Sequence, residues 1–142
     1  MDSTGIARLI AELLTVVQVL TGYPGPAQAP VVELVAHVEL QEMACEGTCD
    51  VRGWYAGGST IYLDDRLDPE NNMWDRGILV HELVHYLQEQ SGAFGVVPTC
   101  RRWLEREEEA YAAQRQWLRA NRPRRPPPGY ARFPRIVVDC DS

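Results

Sequence analysis

Lysine is missing from this chain: all fourteen basic residues among its 142 are arginine, set against twenty acids. Histidine is nearly as scarce, and any imidazole site must draw on His37, His81 and His85. Nor is there a clean apolar run of membrane-spanning length. Ile6 to Leu20 comes nearest, but it is short, carries Arg8, Glu12 and Gln18, and follows an acidic rather than a basic start. It reads as an amphipathic first helix ended by Gly22 and Pro24, so neither a targeting segment nor a membrane partner is expected. Paired cysteines at the two-residue spacing of a zinc knuckle are missing too. Cys45 and Cys49 have three residues between them, and Cys100 and Cys140 complete no ligand set with them. No internal repeat is present.

What is there is ordinary for a soluble globular chain: 45% hydrophobic residues, 24% charged, and a length that suits one domain. The net charge of −6 is unevenly spread. Residues 99–142 hold ten arginines, several of them inside the Pro-rich run Pro123 to Pro134. With little aromatic interleaving, that run reads as a solvated, semi-rigid tail and not as a nucleic-acid surface. The division is therefore a domain over 1–121 and a Pro/Arg-rich tail over 122–142 packed on it, with a monomer expected. The four cysteines read as two disulfides, pointing to an oxidising, secreted or periplasmic setting. Their positions suggest Cys49 with Cys100 and Cys45 with Cys140.

Along the chain, Val31 to Leu40 alternates apolar and polar residues, as a half-buried strand does, with His37 on its polar face. Val51 to Tyr55, Gly57-Gly58 and Ser59 to Leu63 form a hairpin signal. A polar loop leads to a helix over about 77–90, with Asp75 as its cap and Gly92 as its stop. A second long helix covers about 100–121, and Ile136 to Val138 form a last short strand. The order of elements indicates an α+β fold.

Two of the three histidines fall in His81-Glu82-Leu83-Val84-His85. Four apart on a helix, they share a face and can reach one metal ion, with Glu82 beside it to take a proton from bound water. By composition, such a match is a ~0.3% coincidence. Val80, Leu83, Val84 and Leu87 form one face of that helix, while His81 and His85 lie on another with Trp74 and Ile78. A third ligand is needed, because catalytic zinc ordinarily takes three protein ligands and a water. The next helix offers Glu105, Glu107, Glu108 and Glu109. Helical phase puts Glu107 at the centre of the stripe Trp103, Leu104, Ala110, Tyr111, Gln114 and Leu118. Glu105 and Glu109 point away toward neighbouring arginines, and Glu108 is the reserve.

This pattern resembles the gluzincin metallopeptidases, in which a helical HExxH is followed by a glutamate on the next helix. More closely, it is similar to a family of small bacterial HExxH proteins of minigluzincin size. The likeness runs through Cys49, Val51-Arg52-Gly53-Trp54-Tyr55, Ile61-Tyr62-Leu63, His81 to Gln88, Cys100, and Glu107 to Tyr111 with Gln114, over roughly residues 30–120. It implies a zincin-like fold, Zn2+ held by His81, His85 and Glu107, and Glu82 as general base for peptide hydrolysis by a zinc-activated water. It also implies that an edge strand, Ser59 to Leu63, pairs with an extended protein or peptide substrate, with Ser59, Thr60, Ile61, Tyr62 and Tyr111 as substrate contacts. One departure stands out: no motif fixes an oxyanion donor, leaving Tyr111, Tyr62, Tyr86 and His37 as candidates. The alternative is a zinc-binding interaction module without turnover, toxin-like or phage-associated.

Overall fold

The computed structural model describes residues 3–45, 50–95, 99–121, 123, 125–126 and 140. Among these residues are four helices and a three-stranded mixed sheet, so the α+β expectation holds. The first helix, α1 (Ser3–Thr21), buries Ile6, Leu9, Ile10, Leu13, Leu14 and Val17, a stripe at helical spacing. By length and composition alone α1 could cross a membrane, yet this stripe is part of the core.

Strand β1 (Val31–Val35) gives way at once to helix α2 (His37–Cys45). The expected strand to Leu40 is thus corrected, and His37 opens a helix. Ala36 and Leu40 satisfy a period of two and one of four equally. The four-residue relation prevails: Leu40 N donates to Ala36 O at 3.0 Å, and Leu40 is fully buried. The helix formers Glu39, Leu40, Gln41, Glu42, Met43 and Ala44 support it.

The hairpin forms as expected from β2 (Gly53–Trp54) and β3 (Thr60–Asp64). The order, however, is β1-β3-β2, with β1 parallel to β3. The segment 59–63 therefore supplies the central strand and not an edge, because β1 claims its second side. The edge beside the motif helix is β2.

Helix α3 (Met73–Ser91) starts four residues before the expected position. Its cap is Asn72, whose Oδ1 accepts from Trp74 N at 2.9 Å and Asp75 N at 3.1 Å, and not Asp75. Asp75 instead accepts from Asp68 N and closes the preceding loop. Gly92 ends the helix in the left-handed conformation (φ 68°), which a side chain would strain. Every residue from Leu79 to Gln88 is buried, because the sheet, α1 and α4 (Cys100–Asn121) surround α3. Gly77 lets α4 come close: a Cβ there would stand 3.3 Å from Leu118 Cδ2. Trp103, expected inward, is 46% exposed. Gln88 already meets Arg106, so one turn further toward the start of α4 the partner helix is ending.

Cys100 is bonded to Cys140, which corrects both expected pairings; Cys45 is disulfide-bonded as well. Spacing alone could not choose among three pairings. The bond ties the end of the tail to the start of α4 and indicates an oxidising compartment. The rest of the expected tail, and the strand Ile136 to Val138, lie almost entirely outside the described residues.

Candidate metal centre

His81 and His85 sit at the middle of α3, one turn apart, with ring centroids 4.9 Å from each other. Glu107 projects from α4 toward both. Its Oε2 lies 2.6 Å from His85 Nε2 and 3.3 Å from His81 Nε2. One ligand atom from each of the three lies within 4.8 Å of the others. Tetrahedral bonds of zinc length place ligand atoms ~3.3 Å apart, and two imidazoles with one carboxylate form a donor set that suits a divalent metal. The residues present therefore fit such an ion. Glu108 is exposed and takes no part, so the helical-phase choice of Glu107 agrees with the geometry.

The far side of each ring is also held. His81 Nδ1 lies 3.1 Å from Gln114 Oε1, and His85 Nδ1 lies 2.8 Å from Gln88 Oε1. A carbonyl oxygen only accepts, so each Nδ1 donates and each Nε2 is presented to Glu107. Neither glutamine was given a role on sequence grounds. Both stood at helical spacing from a ligand, three residues after His85 and seven after Glu107, which is the signal that could have found them.

Charge inside this enclosure is strongly tuned. Burial works to raise Glu107, but hydrogen bonds from His81 and His85 outweigh it and hold the carboxyl well below its usual range. For His85, burial pulls downward, while the Glu107 hydrogen bond and the Glu82 charge prevail and raise its pKa. Glu82 is 6% exposed. Burial pushes its pKa up, the two imidazoles oppose that, and Glu107 adds to it. A carboxyl raised in this way is a better proton acceptor near neutral pH than an exposed one.

Strand β2 lies directly on this glutamate. A Cβ at Gly53 would stand 3.1 Å from Glu82 Cγ, Ile78 Cγ2 and Leu63 Cδ2, so the close approach depends on glycine. Arg52 O accepts from Asp64 N, and the alternation of an antiparallel ladder then turns the N–H and C=O of Gly53 outward, to the edge of β2 that no strand pairs among the described residues.

Of the oxyanion candidates, Tyr111 is the one brought to the ligands. Its ring meets that of His81 at 4.3 Å, and burial, Glu107 and Glu82 push its hydroxyl up to about 12. Tyr86 is turned away, donating to Gln28 O and packing on Tyr55. Tyr62 stacks on Trp54, on the sheet face opposite buried Ile61 and Leu63. His37 is engaged by Asp64. Thr60 shares the face of Tyr62, Ser59 is exposed, and Ile61 is core, so none of these side chains joins the metal group. Glu109, expected at the surface among arginines, accepts from Tyr23 Oη at 2.5 Å and from Gln88 Nε2 at 2.9 Å.

A family model described as "Domain of unknown function (DUF6647)" matches residues 2–124, a span that includes every helix and strand above. No curated protein and no solved structure matches the chain.

Proposed function

The chain belongs to this DUF6647 family, and we propose that it is a zinc-dependent peptidase acting on extended protein or peptide segments in a secreted or periplasmic setting. The observation that carries the reading is the convergence of His81, His85 and Glu107 beside buried Glu82. Bound there, zinc supplies Lewis acidity toward a water molecule and the scissile carbonyl. The protein's own groups supply the rest. Glu82 takes a proton from the attacking water and returns it to the departing nitrogen. To Tyr111, whose ring packs on His81, we assign donation toward developing negative charge on the carbonyl oxygen. The outer edge of β2, unpaired among the described residues, aligns the substrate backbone beside Glu82 through Gly53 N–H and C=O. The gluzincin resemblance thus acquires a different edge strand, Gly53–Trp54 in place of 59–63.

The enclosure also favours a second reading. With His81 and Glu82 6% exposed and His85 8%, the same site suits a metal-binding interaction module without turnover. One comparison separates the two. Wild-type protein is expected to bind one zinc per chain and cleave an unfolded protein such as denatured casein; Glu82→Gln should keep the zinc and lose at least a hundredfold of the cleavage. Cleavage by Glu82→Gln at the wild-type rate would overturn the mechanism. Zinc binding with no cleavage by the wild type would leave the module reading in its place.

A further inference from the structure

Gln88 is 2% exposed, and every hydrogen bond it makes is directional. Its amide nitrogen faces Arg106 O at 3.0 Å and Glu109 Oε1 at 2.9 Å. Both partners are acceptors, so the NH2 must point at them, and Oε1 is thereby turned toward His85 Nδ1 at 2.8 Å, where it also accepts a longer bond from Arg106 Nε at 3.4 Å. The reversed amide would set its oxygen against a carbonyl and a carboxylate while depriving His85 of its acceptor. Glu109 is itself fixed by the hydroxyl of Tyr23, from the segment between α1 and β1. Helix α4 therefore acts on both nitrogens of one ring: Glu107 meets Nε2 directly, and Glu109 together with Arg106 orients the Gln88 amide that meets Nδ1.

We infer that Gln88 is a positioning residue of the metal centre, and that Glu109, held by Tyr23, acts on the metal only through Gln88, whose orientation it fixes together with Arg106. The inference rests on the metal-binding part of the function proposed above and is independent of turnover. It explains why a glutamate two residues from a ligand, nearly opposite it in helical phase, is drawn off the surface. It also assigns the α1–β1 connection, through Tyr23, to the metal centre.

The ordering of these roles makes a double-mutant cycle decisive. Gln88→Met keeps the volume and removes both hydrogen-bonding ends. It is expected to weaken metal binding roughly tenfold to a hundredfold, as loss of a histidine's outer partner does elsewhere. Glu109→Ala should weaken it several-fold in the wild-type background and by less than twofold in the Gln88→Met background. The readout is Co2+ titration followed by its visible absorption, with zinc affinity from competition. The band itself is expected to broaden or shift in Gln88→Met as His85 loses its fixed orientation. Wild-type affinity in Gln88→Met, or effects that simply multiply in the double variant, would overturn the inference. Should Gln88→Met fail to fold, an unchanged affinity in Glu109→Ala overturns it equally, and a several-fold loss supports it. A wild-type protein that binds neither cobalt nor zinc removes the peptidase reading and this inference together; wild-type binding with indifferent variants removes this one alone.

Discussion

Asp64 is a carboxylate with 1% of its side chain exposed. Arg66 Nη2 at 2.6 Å and Nε at 2.9 Å, the Arg66 backbone N–H at 2.9 Å and His37 Nδ1 at 2.7 Å surround it. The Arg66 side chain is the main influence; burial opposes it, and the remaining hydrogen bonds help to lower the Asp64 pKa to about 2. A folded-state pKa below the unfolded one means that the stabilisation is complete above about pH 4. It is lost as pH falls toward 2, because the unfolded chain then takes up the proton more readily. The size is about 2 kcal/mol. Asp64→Asn is expected to lose roughly that amount at pH 7 and to flatten the acid limb between pH 4 and 2 in urea unfolding. An acid limb as steep as that of the wild type would show that other carboxylates dominate it. None of this was legible locally. His37 and Asp64 are 27 residues apart, and the alternating pattern around His37 led to an exposed histidine on a strand.

At the scale of elements, legibility followed periodicity. Helices α3 and α4 and the β2–β3 hairpin each carry an unmistakable period or turn signal, and Glu107 could be picked from four acids by phase. Boundaries set by single side chains were harder. Asn72 lies in a run of polar residues where several could cap, and only the folded chain shows its Oδ1 accepting from two backbone N–H groups. Strand order was not legible either, because the parallel pairing of β1 with β3 joins segments whose local patterns are silent about each other. The cap gives a clean test. Asn72→Ala should cost about 1 kcal/mol in denaturant unfolding, while Asn72→Ser or Asn72→Asp stays within a few tenths of the wild type. Equal stability for all three would mean that the loop ahead of α3, held by Asp75 and Arg76, positions the helix without its cap.

The whole molecule is held by two different kinds of constraint on α4. Along its length it is pinned to α3 by Leu118 against Gly77, by Gln88 against Arg106 and by Glu107 against the histidines. Its start is pinned to the far end of the chain by Cys100–Cys140, at a sequence separation of 40. A loop of that length restricts the unfolded chain by about 4 kcal/mol in the chain-entropy account, with 2–4 kcal/mol typical of measured bonds. For a domain whose total stability is on the order of 5–15 kcal/mol, that is a large share. Cys140→Ser, with Cys100→Ser to avoid a stray thiol, is therefore expected to lower the urea midpoint by an amount worth about 2–4 kcal/mol. The candidate metal ligands lie elsewhere in this division. Glu107 is placed by contacts two turns beyond Cys100, so zinc stoichiometry and affinity should survive in the folded fraction of the same variant. A loss of affinity that matches the loss of stability would show instead that the disulfide sets the position of Glu107, and that the start of α4 is part of the metal centre.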